Sequence, residues 1–207
     1  MSVIRRVVLV ASLAALLVGS GMLALILVEG RDAHRATAAS TATGASLGGA
    51  FSLVSSDGVP VTDRSYRGKF LLVYFGYTYC PDVCPTTLNN IAQALVQLGN
   101  KADALTPLFI SVDPKRDTPQ VMGNYVKAFD PRIVGLTGSA AQIAAVAKEY
   151  HIYYAPQPAD KAGDYLIDHS SFIYLMDRNG KFLKVFPGGM SGVELADGIR
   201  PFIAAGS

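Results

Sequence analysis

Hydrophobic and polar positions change their rhythm several times along the 207 residues, and each change marks an element. From Val7 to Val28 no charge interrupts 22 mostly apolar residues. As a helix this run is roughly 33 Å long, enough for the hydrocarbon core of a bilayer. From Glu29 to Leu47 the apolar side chains give way to Ala, Thr, Ser and Gly with a few charges. That composition predicts a flexible tether with an end-to-end distance of roughly 24 Å. A globular pattern then begins. Phe51–Val54 and Val59–Val61 flank Asp57-Gly58, a hairpin signal. "KFLLVYF", Lys69–Phe75, is continuously apolar between Gly68 and Gly76, as in a strand buried on both faces.

Helical spacing follows. Leu88, Ile91, Ala92, Leu95 and Leu98 recur after Pro85, and Gly99 ends the helix. "TPLFISVD" is the next buried strand, ending at Asp113. Asp117-Thr118-Pro119 predicts a helix start, with Asp117 as the cap, leading to Phe129. Ile133–Leu136 reads as a short strand and Ala140–Tyr150 as a helix with Ile143 and Val146 on one face. "SFIYLMDRNGKFLKVF" reads as a hairpin closed by Arg178-Asn179-Gly180-Lys181, and a last helix runs from Val193 to Ala204. A hairpin, then alternating strands and helices, then a hairpin and a helix imply a partly parallel sheet covered on both faces. This α/β order matches a thioredoxin-like domain with an added N-terminal β-hairpin, preceded by one transmembrane helix.

The anchor changes the reading of charge. Arg5 and Arg6 precede the apolar run and belong on the cytoplasmic side, which places the rest of the chain outside. The run exceeds the apolar core of a signal peptide, although Ala36-Thr37-Ala38 resembles a cleavage site. Of 18 Lys and Arg, those two are set apart, leaving 16 against 16 Asp and Glu. A balanced exported part gives no reason to expect nucleic-acid binding. With no transit-type leader ahead of the anchor, the expected location is a bacterial inner membrane with the domain in the periplasm.

Both cysteines of the chain, Cys80 and Cys84, lie in "FGYTYCPDVCPTTL", between an apolar strand and a helix. In open α/β sheets, sites lie beyond the carboxyl ends of strands. With Pro85 in the first helical turn and Cys84 at or near the cap, both sulfurs fall near a helix N-terminus, which favours thiolate. The spacing leaves redox activity and metal binding equally open. Thiolates are soft and point to copper(I) or zinc, and copper(I) with two thiolates calls for a third ligand. The methionines form no cluster. His34 lies in the tether, and His151, in "KEYHIYYAP", reads as a capping or surface residue. His169, in "YLIDHSSFIYLMD", precedes the final hairpin, whose loop in a thioredoxin-like sheet neighbours the cysteine loop.

Together "FGYTYCPDVCPTTL", "SVDPKRDTP" and "DHSSFIYLMDRNGK" resemble the SCO/SenC copper metallochaperones over the span from about Gly48 to Phe202. The resemblance implies a membrane-anchored, thioredoxin-like protein that helps assemble the copper site of cytochrome c oxidase. It implies copper as the cargo, in both oxidation states, with Cys80, Cys84 and His169 as ligands. The implied partner is a copper-receiving oxidase subunit, and the oxidising periplasm adds the expectation of a periplasmic thiol reductant. The implied organisation is a cytoplasmic tip and anchor over 1–28, a tether over 29–47 and a copper-binding domain over 48–207.

Other residues in these motifs carry weaker expectations. Asp113 reads as closing a turn before Pro114, and Lys115 and Arg116 as loop charges that steer an acidic partner or do nothing. Asp168 is a candidate to orient the His169 imidazole, and Tyr77 and Tyr79 either form a docking surface or belong to the core. A thiol–disulfide oxidoreductase is the competing reading. It is weakened because the chain has no tryptophan to precede the cysteines and carries His169 where thioredoxins place a proline. A thiol peroxidase is weaker still, since Thr78 is two residues before Cys80 and not three.

Overall fold

The computed structural model describes residues 47–206. The expected anchor, His34 and all of the expected tether but Leu47 lie outside them. Among the described residues no helix is long and apolar enough to cross a membrane.

The described chain opens with a hairpin of β1 (Ser52–Ser55) and β2 (Pro60–Thr62), followed by β3 (Phe70–Gly76) and α1 (Val83–Leu98). Next come β4 (Leu105–Ser111), α2 (Pro119–Lys127), β5 (Val134–Thr137) and α3 (Ala140–Glu149). Two short strands, β6 (Tyr154–Pro156) and β7 (Ile167–His169), precede β8 (Phe172–Met176), β9 (Phe182–Pro187) and α4 (Gly192–Ala205). Seven strands form one sheet in the order β2-β1-β5-β4-β3-β8-β9, and β6 pairs with β7 apart from it. The centre is parallel, β3 with β4 and β4 with β5, while β8, β9, β1 and β2 add antiparallel edges.

All seven residues of β3 are buried, which explains the unbroken apolar run in its sequence. Alternation sends Phe75 to the face where Tyr150, at the end of α3, packs 5.3 Å away between ring centroids. Tyr74 and Gly76 face the other side, where α1 lies. A Cβ on Gly76 would come within 2.7 Å of the Cys84 sulfur and 2.8 Å of the Phe109 ring. Only glycine lets the helix bring its cysteine down onto the strand there. The predicted hairpin closes as β8 and β9, with Gly180 at φ 81° and Asp177 accepting the amides of Asn179 and Lys181.

Three expectations need correction. Thr118, and not Asp117, caps α2, its hydroxyl accepting the Val121 amide. Ala94 takes the buried place expected of Ala92, while Cys84 lies near the cap as expected, in the first turn of α1, which begins at Val83. The segment between Tyr150 and Phe172 makes its own two-stranded excursion, β6–β7, where no element was expected. Its strands have three residues each, too short to show a period.

Candidate metal centre

The cysteine loop is shaped by the start of α1. Asp82 occupies the cap position with φ −140° and ψ −65°, and its side chain makes no capping bond. The Cys80 sulfur does that work, accepting the Cys84 backbone N–H at 3.4 Å. The orphaned amide of a helix start is thereby satisfied by a thiolate. Cys84, one position into the helix, is fully buried, while Cys80 is half-buried.

His169 arrives from the other side of the site as the last residue of β7, paired with Tyr154. Its ring stands edge-on to Tyr77, 5.8 Å away, and to Tyr74, 6.4 Å away. The buried Tyr77 hydroxyl also accepts the Ile167 amide at 3.0 Å, which fixes β7 over the tyrosine. The imidazole Nδ1 lies 3.1 Å from the Ser170 carbonyl. A carbonyl only accepts, so Nδ1 carries a hydrogen, and Nε2 is the ring nitrogen left to a cation held by the sulfurs. Nε2 is 3.4 Å from the Cys84 sulfur, and one donor atom from each of Cys80, Cys84 and His169 lies within 4.8 Å of the others. All three predicted ligands are brought together, and no other group of such residues occurs among the described residues.

The two thiols are electrostatically unequal. The hydrogen bond from Cys84 holds the Cys80 thiol low, at about 3, helped by His169 and the amides of Asp82 and Cys84 against the opposing effect of burial. The same bond and burial push the Cys84 thiol up. In the metal-free pair Cys80 is thus favoured as the thiolate and Cys84 as the thiol. Two sulfurs and one imidazole nitrogen within 4.8 Å of one another are a donor set suited to a soft cation.

Asp117 turns out to build the site without touching it. Fully buried, its carboxylate accepts the Thr78 amide at 3.1 Å, the Thr78 hydroxyl at 2.6 Å and the Ser111 hydroxyl at 2.6 Å. It thus ties the cysteine loop to the end of β4. Burial raises its pKa although all three donors pull the other way. Asp113 closes the expected turn, its carbonyl accepting the amides of Arg116 and Asp117, while its carboxylate takes Arg116 Nε and the Tyr165 hydroxyl.

Arg116 is no free loop charge. Its guanidinium carbon lies 3.7 Å from the Tyr165 ring centroid and 4.6 Å from that of Tyr79. Three segments are thereby joined: the cysteine loop, the β4–α2 loop and the β6–β7 excursion. Asp168 is turned away from the imidazole and accepts Gln157 instead, because neighbours in a strand point to opposite faces. His151 is exposed at φ 53°, beyond the end of α3, as a surface residue. Tyr77 belongs to the core and Tyr79 to the surface. Sequence reading missed Thr78, Ser111 and Tyr74 and took Gly76 only as a strand boundary. The one available signal was alternation in β3, which puts Tyr74 and Gly76 on one face.

The comparisons agree with this geometry. The SCO1/SenC family model matches residues 39–204. The chain is 47% identical over 159 residues to protein sco1 of Schizosaccharomyces pombe, covering 75% of this chain and 60% of that one. It is 44% identical over 162 residues to the mitochondrial SCO1 homolog of Homo sapiens, covering 75% of this chain and 54% of that one. The chain thus spans little more than half the length of these relatives. The structure of Bradyrhizobium japonicum ScoI with copper bound superposes with a TM-score of 0.70 at 46% identity, covering 75% of this chain and 99% of that one. The shared architecture is the mixed α/β, thioredoxin-like arrangement that the order of elements predicted. With matching motifs, fold and sequence over most of its length, this chain belongs to the SCO1/SenC family.

Proposed function

We propose that the chain is a membrane-anchored copper carrier that delivers copper to the copper site of a cytochrome c oxidase subunit by thiolate exchange. The observation that carries this reading is the convergence of two sulfurs and one imidazole nitrogen within 4.8 Å. Three donors, two of them thiolates, suit three-coordinate copper(I), whereas structural zinc takes four. Copper(II) suits the same set through the imidazole.

Uptake replaces the proton on Cys84, and release follows from the uneven burial of the ligands. Cys80 and His169 are half-buried and Cys84 is fully buried. An incoming partner thiolate therefore meets copper from the side of Cys80 and His169, and Cys84 is the last ligand to leave. The apolar run over 7–28 serves as the anchor in a bacterial inner membrane, and the tether over 29–47 lets the domain over 48–207 reach its recipient in the periplasm. A periplasmic thiol reductant keeps the pair reduced, because a disulfide offers no thiolate to copper. The balanced charge of the exported part supports a protein recipient and no nucleic acid.

A second reading is favoured by the asymmetry of the thiols. A half-exposed Cys80 thiolate is placed to attack a disulfide of the subunit, forming a mixed disulfide and freeing one partner thiol. Cys84 then attacks Cys80, releasing the second thiol and leaving the chain oxidised by two electrons for the reductant to restore. Oxidase activity in cells separates the readings when Cys80→Ser, Cys84→Ser and His169→Ala are compared across a copper titration, normalised to protein amount. An imidazole completes a copper site but is not needed for disulfide exchange. His169→Ala cells should lose most activity at limiting copper and regain part of it with added copper, while both cysteine variants stay inactive. Normal activity of His169→Ala at the lowest copper, with both cysteine variants inactive, would favour the reductase.

A further inference from the structure

β3 runs beneath the ligand cluster, and the face that carries Tyr74 and Gly76 also receives Cys84. Tyr74 is fully buried, its ring stacked on Phe109 at 5.9 Å and edge-on to His169 at 6.4 Å. Its hydroxyl lies against Cys84, Thr87 and Ser171. Even so, this hydroxyl makes no hydrogen bond of normal geometry. The Thr87 hydroxyl directs its hydrogen to the carbonyls of Val83 at 2.8 Å and Gly188 at 3.1 Å, so it has none to give Tyr74. By contrast, the Tyr77 hydroxyl, His169 Nδ1 and the Thr78 hydroxyl all have partners. A buried hydroxyl that makes no hydrogen bond is destabilising, and one beside a ligand gains most from a stronger acceptor in another state.

Cys84 supplies that acceptor. As a thiol it is a weak acceptor. As a copper-bound thiolate it carries charge and free lone pairs, and donors around metal-bound sulfur tune such sites. We infer that Tyr74 is a positioning residue for copper, donating its hydroxyl hydrogen to the Cys84 sulfur in the loaded chain and thereby favouring the loaded form over the empty one. The inference rests on the assignment of Cys80, Cys84 and His169 as copper ligands. The same bond draws electron density from the sulfur and raises the energy of its charge-transfer absorption into copper(II). Tyr125 provides an internal control, since its hydroxyl is also buried without a partner but lies across Phe109, its ring 5.8 Å from that side chain.

The test compares the full chain with Tyr74→Phe and Tyr125→Phe. Copper(I) affinity is measured by competition with a chromophoric chelator, the copper(II) complex by absorption, and the metal-free chain by thermal melting. Tyr74→Phe should bind copper(I) about tenfold more weakly. Its sulfur-to-copper(II) band should move to lower energy, and its metal-free melting temperature should not fall. Tyr125→Phe should change neither affinity nor band. Unchanged affinity and band in Tyr74→Phe would overturn the inference, as would a metal-free variant that melts lower in proportion to its lost affinity. A wild-type chain that binds no copper would instead overturn the ligand assignment, and the inference with it.

Discussion

Cys80 takes hydrogen bonds from Cys84 and from the first amides of α1, and its charge is set by that position. Its folded pKa, about 3, lies far below the ordinary thiol value of 9.0. The contribution to stability is therefore present above the free-thiol pKa and lost as pH falls through about 3. The thiolate should persist through the acidic range, so alkylation of Cys80 by iodoacetamide in the metal-free chain should hold nearly constant from about pH 8 to pH 5. An ordinary thiol slows about tenfold per unit over that range. A tenfold loss per unit at Cys80 would contradict the arrangement. The cysteines and His169 were legible in the sequence because sulfur and imidazole are scarce in this chain and chemically specific. Gly76 and Tyr74 were not. Their importance depends on what the facing helix places against them, and a strand's sequence records only its own alternation.

Among the elements, the long ones announced themselves. The unbroken run of β3, the helical periods of α1 and α3, and the Asn179-Gly180 turn each carry a local signal, and each formed within a few residues of its expected place. The β6–β7 excursion carries none, since its strands are short and its hold on the domain comes from distant partners. Those partners are Tyr77 under Ile167, and Asp113 and Arg116 against Tyr165. Asp117 was misread for the same reason. "DTP" suggests a cap, but the carboxylate turns inward to Thr78, 39 residues away, and leaves capping to Thr118. Replacing Asp117 with Asn keeps the volume but puts an amide donor among three donors. The loss should be about 1–3 kcal/mol in chemical denaturation. Because Thr78 leads into the cysteine loop, copper(I) affinity should fall as well. Unchanged stability together with unchanged affinity would show that the Asp117 network does not hold the loop.

The domain places its three candidate ligands on two independently built arms, the loop after β3 and the end of β7. Reduced, the arms present three donors within 4.8 Å of one another to a single soft ion. Oxidised, the two sulfurs bond to each other at roughly 2 Å, and two of the three donors are withdrawn. Copper binding and thiol state are thereby coupled through the same two atoms, and only the reduced chain offers all three donors. The most direct test is the copper(I) stoichiometry of the full chain, measured first reduced and then after disulfide formation. The reduced chain should hold one copper(I) per molecule and the oxidised chain none. Stoichiometric copper(I) retained by the oxidised chain would place the metal elsewhere and contradict the account.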